Sequence, residues 1–158
     1  MGDIISATNR HLLERRQYIP RPRAEVFAFF ADAANLERIT PPSLRFRILT
    51  PPPIAMTAGT TIDYRIALFG LGFRWRTLIE VFEPERRFVD VQLAGPYKTW
   101  RHLHEFEDDG TGTSMRDRVE YELPLGKLGT LVHLAIVRRQ LEHIFDFRRQ
   151  VIATAFDR

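Results

Sequence analysis

The residues most able to do chemistry sit in one run, Gly95-Pro96-Tyr97-Lys98-Thr99-Trp100-Arg101-His102-Leu103-His104-Glu105-Phe106. Side chains of an extended strand alternate between two faces. Trp100, His102, His104 and Phe106 therefore share one face, and Arg101, Leu103 and Glu105 share the other. Two imidazoles bracketed by large aromatics suit the wall of a semi-polar cavity better than an ordinary core. Neighbouring runs offer partners at the same alternation: Phe88, Asp90 and Gln92 in one, Met115, Asp117, Val119 and Tyr121 in another. With all these faces turned inward, Asp90, Gln92, His102, His104, Asp117 and Tyr121 gather among aromatics. A buried polar group without a partner costs about 2–7 kcal/mol, so the expectation is hydrogen bonding to one another, to water or to a polar ligand. Burying Val89, Val91 and Leu93 instead satisfies local hydrophobicity better, so the inward face of that run stays open.

Imidazole titrates near neutral pH. His102 and His104 are thus candidate proton carriers, with Asp117 as their orienter and Tyr121 beside them. The blander assignment lets each imidazole satisfy a neighbour such as Asp117 and so fix the sheet; a third has them orient a ligand. A catalytic zinc site needs three protein ligands. Two histidines at i and i+2 stand about 6–7 Å apart along a strand, and the third ligand would have to be Asp117 or Asp90, so no metal is expected. The chain has no Cys, which removes disulfides, thiolate nucleophiles and Cys-rich zinc sites together. Ser43 and Ser114 lack a G-x-S-x-G setting, and Gly70-x-Gly72 and Gly110-x-Gly112 read as turns rather than nucleotide loops. No cofactor is expected.

The elements that must position these groups are legible in order. His11–Ile19 reads as a strand stopped by Pro20. Pro22 opens a helix over Ala24–Ala31, and Asp32 and Asn35 are cap candidates for a second short helix holding Leu36 and Ile39. Alternation predicts strands over Leu44–Thr50, Thr60–Phe69, Phe73–Val81, Arg87–Leu93, the Trp100–Phe106 run and Thr113–Leu123, with turns at Gly70-Leu71-Gly72, Pro84-Glu85 and Asp108-Asp109-Gly110. Trp75 and Tyr64 lie on the apolar faces of their strands, while Arg74 and Arg76 fall on the outward face of an edge-like one. From Leu128 to Phe156 the period becomes helical. Leu134, Val137, Leu141, Ile144, Phe145 and Ile152 form one stripe, with Arg138, Arg139, Glu142, Arg148 and Arg149 mainly opposite. That helix is needed to cover the apolar face of the sheet.

At 158 residues the chain fits a single domain, residues 1–158 with a core from about 10 to 156. A formal charge of +3 is mildly basic and dispersed. The Arg138-Arg139 and Arg148-Arg149 pairs read as a solvated helix face, so no nucleic-acid partner is expected. No apolar run approaches the roughly 20 residues of a membrane span, and the segment Met1–Thr8 lacks the pattern of a secretory signal. A cytoplasmic protein without stable membrane insertion is the expectation.

A strand, two short helices, a meander and a closing helix describe the α+β helix-grip arrangement, a curved antiparallel sheet wrapped around a long C-terminal helix with a cavity between them. From Arg10 to Phe156 the chain resembles the SRPBCC (START-like) superfamily, which includes the birch pollen allergen group, lipid-transfer START domains and aromatic polyketide cyclases. More narrowly, it is similar to a bacterial ligand-binding subgroup that also occurs joined to NAD-dependent epimerase-type domains. The residues that carry this are Phe88-x-Asp90-x-Gln92-x-x-Gly95-Pro96-Tyr97, Trp100-x-His102-x-His104-x-Phe106, Asp117-x-Val119-x-Tyr121-x-Leu123-Pro124 and Arg138-Arg139-x-Leu141-x-x-Ile144-Phe145. The resemblance implies a cavity for a small hydrophobic or amphipathic molecule, lipid-, isoprenoid- or polyketide-like. Its expected lining is Tyr64, Trp75, Phe88, Asp90, Gln92, Trp100, His102, His104, Phe106, Asp117, Tyr121, Leu141 and Phe145. The alternatives it implies are a cyclase or dehydratase using His102, His104, Asp117 and Tyr121, or an accessory domain docking on an epimerase-like protein through a flat apolar patch near Ile54–Met56.

Overall fold

Pro20 cannot donate to a ladder and Pro22 has its φ preset for a helix start. In the computed structural model, which describes residues 9–157, β1 accordingly spans Arg10–Ile19 and α1 spans Arg23–Phe30. The reading of residues 1–8 as free of a secretory signal lies outside the described residues. A short α2 (Asn35–Arg38) follows. Asp32 Oδ1 accepts the Ala34 N–H, and the Asn35 side chain bonds back to the Phe29 carbonyl, so neither caps α2 as expected.

The strand expected from Leu44 to Thr50 shrinks to β2 (Arg47–Ile48). Pro42–Leu44 form a 3-10 turn and Arg45 takes a left-handed φ of 46°, which interrupts the pleat before pairing can begin. β3 (Thr61–Leu68) and β4 (Leu71–Glu83) are joined through Phe69 and Gly70, both at positive φ. This two-residue turn has the twist that hairpins favour, and it places the bend one residue earlier than the Gly70–Gly72 reading. β5 (Arg87–Ala94), β6 (Thr99–Asp109) and β7 (Gly112–Glu122) complete the meander.

The seven strands form one antiparallel sheet in the order β1-β7-β6-β5-β4-β3-β2. β4 is therefore interior rather than edge-like, and Arg76 on its outer face makes a two-point ion pair with Asp63 at 2.8 and 3.0 Å. β6 lies near the middle, flanked by the strands that carry Asp90 and Asp117.

The closing helix runs as α3 (Gly126–Val132), a π-helical turn (His133–Val137) and α4 (Arg138–Phe156). Its buried row is Val137, Leu141, Phe145, Arg148, Ile152 and Phe156. Two expectations fail here. Leu134, expected on the buried stripe, is 63% exposed, one position round from the buried His133. Arg148, expected in solvent, is only 7% exposed. It stands three residues after Phe145 and four before Ile152, so helix geometry carries it inward whatever its charge.

Two apolar clusters result. Phe27, Phe30, Phe88, Phe106, Ile152 and Phe156 belong to the cluster that includes α1. Trp75, Val119, Tyr121, Val137, Leu141 and Phe145 belong to the other. Along β6, Phe106 joins the first and Trp100 packs on the second, with both histidines between them.

Candidate functional site

Strand register builds the site. Asp90 pairs with His102 and Phe88 with His104 across β5 and β6, while His104 pairs with Asp117 across β6 and β7. One carboxylate thus stands on each side of the imidazole pair. The inward face of β5 is the one carrying Phe88 and Asp90; Leu93 is exposed. His104 Nε2 is 2.8 Å from Asp90 Oδ2, and His102 Nε2 is 2.8 Å from Asp117 Oδ1. His104 Nδ1 lies 3.2 Å from the same Asp117 oxygen, close enough for ion pairing but off the line of a hydrogen bond. The two imidazoles lean together with centroids 3.7 Å apart, Phe88 stacks on His104 at 4.1 Å, and Phe145 meets His102 at 5.6 Å.

This square of charge sits out of water, and the outcome differs from group to group. For Asp117, burial acts to raise the pKa, but its close contacts with His102 and His104 outweigh it and hold the carboxyl far below its ordinary range. Asp90 follows the same balance, with His104, His102 and Arg148 outweighing burial, and is also lowered. At His104 burial is overcome by the adjacent Asp117 and Asp90 carboxylates, so its pKa is raised. At His102 burial and the neighbouring His104 prevail, and its pKa is lowered. The two imidazoles are thus shifted in opposite directions, the kind of separation that distinguishes an acid from a base.

A cavity between the sheet and α4 opens beside these groups. Its volume is about 140 Å³. Tyr64, Trp75, Phe88, Trp100, Leu141 and Phe145 supply expected apolar lining, and Asp90, His102 and His104 the expected polar part. Four other expected residues lie elsewhere. Gln92 bonds to both the Tyr97 carbonyl and the Tyr97 N–H at 2.7 and 3.1 Å, tying the turn before β6. Phe106 is locked in the first apolar cluster. Asp117 stands behind the imidazoles and lines a separate, narrower cleft. Tyr121 is hydrogen-bonded to His133 at 2.6 Å, away from the cavity.

The lining also includes residues that hydrophobic patterning did not assign to it: Tyr97, Phe46, Met56 and, above all, Arg148. Met56 packs on the core, so it is not part of a flat exposed patch. Exposed apolar side chains cluster instead around α3, at Leu125, Leu128, Leu131 and Leu134, with others dispersed at Leu12, Phe69, Leu71 and Leu93. The Arg148 guanidinium lies 4.8 Å from the Phe145 ring centre, and its Nε and Nη1 are buried with no partner among the described residues. Trp75 Nε1 is likewise buried and unpartnered. Arg148 was discoverable from helix spacing, since it falls on the row through Leu141, Phe145 and Ile152.

No helix among the described residues is long and apolar enough to cross a membrane. A family model described as "Polyketide cyclase / dehydrase and lipid transport" matches residues 19–146, whereas no curated protein matches. Among solved structures, the Zhui aromatase/cyclase from Streptomyces sp. R1128 is similar at 14% identity and a TM-score of 0.70, over 94% of each chain. A START superfamily protein from Mycobacterium smegmatis is similar at 10% identity and a TM-score of 0.67, over 92% of this chain and 99% of that one. A nucleoside-diphosphate sugar epimerase from Corynebacterium glutamicum is similar at 26% identity and a TM-score of 0.64, over 89% of this chain but only 28% of its own. These likenesses place the fold in the START/SRPBCC group, with the helix grip seen here.

Proposed function

The chain belongs to the polyketide cyclase / dehydrase and lipid transport family, and from that premise we propose that it binds a small, mainly apolar molecule carrying one acidic oxygen, in the cavity between the sheet and α4. The observation that carries this reading is Arg148. A guanidinium with unpaired donors in a cavity lined mainly by aromatic and aliphatic side chains has a standing desolvation cost, which the Asp90 charge offsets only in part; an anionic guest that takes up the free donors removes the rest. The surrounding rings supply the apolar contact, as in most small-molecule sites. The cavity's size favours a short acyl, isoprenoid or fused-ring acid over a two-chain lipid. Asp90 and His104 would border the acidic end, and Trp75 Nε1 offers a further donor.

Both tryptophans of the chain, Trp75 and Trp100, line the cavity, so intrinsic fluorescence reports on its occupancy. Titration with 2-naphthoate and octanoate, alongside native mass spectrometry of freshly purified protein, tests the reading. Saturable quenching by either acid, with one guest bound per chain, supports it. Absence of a bound guest together with no response to either acid rejects it.

A second reading has its own support. His104, whose pKa is raised, and His102, whose pKa is lowered, both face the cavity, an arrangement suited to moving a proton on a bound carbonyl compound. His104 would donate to a developing hydroxyl while Asp117 holds both rings. Cyclisation or dehydration of an enolisable polyketide-like substrate, abolished in His104→Asn with binding retained, is the expected result. Turnover unaffected by His104→Asn would remove His104 from that role.

A further inference from the structure

Each histidine of the square turns one ring nitrogen to Asp90 and the other to Asp117. His102 Nδ1 and His104 Nε2 lie 3.7 and 2.8 Å from the same oxygen, Asp90 Oδ2. On the far side, His102 Nε2 and His104 Nδ1 lie 2.8 and 3.2 Å from the single oxygen Asp117 Oδ1. Two histidines that merely needed partners would not require such convergence. A metal centre does require it. Histidines that bind a metal through one nitrogen donate their other N–H to an outer carboxylate, which fixes tautomer and ring orientation. Here one buried carboxylate faces the outer nitrogens of both rings, hydrogen-bonded to His102 Nε2 and within ion-pairing distance of His104 Nδ1.

Donor atoms of Asp90, His102 and His104, one from each, lie within 4.8 Å of one another. The separation of about 6–7 Å expected for alternate residues of a strand is closed because the rings lean to a centroid distance of 3.7 Å. We propose that Asp90, His102 and His104 bind a divalent first-row transition ion, with Asp117 as the positioning residue for both imidazoles.

The donor set selects the class of ion. Two imidazoles and one carboxylate suit zinc, iron(II), cobalt(II) or manganese(II), whereas magnesium and calcium prefer oxygen alone. Charge agrees. Asp90 and Asp117 contribute two negative charges and Arg148 one positive charge, so with neutral imidazoles the surroundings are anionic before an ion enters. With the ion they carry one positive charge in excess, which leaves a place for one monoanion between the metal and Arg148. The metal proposal does not depend on the ligand reading and is tested with the metal alone.

Protein stripped with chelator and dialysed is titrated with cobalt(II), read by visible absorption, and with zinc(II), read by calorimetry. The expected result is saturation at one equivalent. Affinity should fall at least tenfold in His102→Gln, His104→Gln and Asp90→Asn, and by about 10–100-fold in Asp117→Asn through loss of the outer carboxylate. His143→Gln, which alters an exposed histidine of α4, should titrate like the unmodified protein. No uptake, uptake that does not saturate at one equivalent, or variants indistinguishable from the unmodified protein would overturn the site. Should the variants not fold, imidazole nitrogen resonances of the unmodified chain decide. Zinc should shift His102 Nδ1 and His104 Nε2 while His11, His133 and His143 stay in place; unshifted His102 and His104 signals reject the proposal.

Discussion

Arg148→Met is the most informative perturbation of the cavity. Methionine keeps an unbranched stem against Phe145, 4.8 Å from the guanidinium it replaces, and deletes only the charge and its donors. A hydrogen bond to a charged group contributes about 1.5–3 kcal/mol net. The variant should therefore bind 2-naphthoate about 10- to 150-fold more weakly. Methyl 2-naphthoate has the same rings and no charge, so its affinity should change by less than about threefold, under 0.7 kcal/mol. Tryptophan quenching measures both, and the ratio of the two changes is the quantity that matters. Equal weakening for acid and ester would mean the cavity had been reshaped rather than discharged; no weakening for either would mean the guanidinium does not face the guest. Stability supplies a separate check. Asp90 loses one favourable charge but keeps His104 at 2.8 Å, and removing a desolvated cation relieves a penalty that reaches several kcal/mol per ion. The unliganded variant should melt no lower than the unmodified protein.

Phe106→Ala separates core from cavity. Phe106 is 2% exposed and packs on Phe27 and Phe30 at 5.3 and 5.6 Å, so truncation should cost about 3–5 kcal/mol, lowering Tm by roughly 6–20 °C for a chain of this size. Naphthoate affinity measured well below that melt should be unchanged; a Tm within 3 °C of the unmodified protein would refute the packing account. A pH dependence follows from His133, whose Nε2 is hydrogen-bonded to the Tyr121 hydroxyl and whose ring stacks on His11 at 3.5 Å. Burial lowers the pKa of both imidazoles, so the unfolded chain binds their protons more readily. The stability they contribute is complete above about pH 6.5 and is lost as the pH falls through the lower folded values. Melting temperatures from pH 8 to 5 should therefore decline less steeply in His133→Phe than in the unmodified protein, a difference that cancels the opposite contribution of His104. Identical slopes would exclude the pair as the cause.

Alternation made β3 to β7 legible because each of those strands presents one apolar face to a cover. It also placed His102 and His104 inward, since the other face of β6 carries Arg101 and Glu105. The same rule was indifferent at β5, where Val89 is as buried as Phe88. Only the cross-strand partner His102 shows why Asp90 turns inward. Leu44 to Thr50 alternates like a strand, but a left-handed Arg45 overrides that local pattern. Arg148 was hidden by its type: patterning sorts helix residues by hydrophobicity, and a buried cation defeats the sort while obeying the spacing. Asp117 and Tyr121 are both buried, but one stands behind the imidazoles and the other against His133 of the π turn. Depth along a face is set by sheet curvature, which no single strand encodes.

The wide turn at His133–Val137 has a consequence for how this chain tolerates insertions and deletions. A π turn holds one residue more than the α turn it replaces, and each residue of a regular helix advances the face by about 100°. Removing one residue there would return the turn to a regular helix and leave the faces of the flanking helices in place. Removing one between Leu141 and Ile152 would instead take Phe145 or Arg148 off the wall. Related chains that keep the inward arginine must therefore keep the same count of residues from 141 to 152, whereas the π turn can lose one.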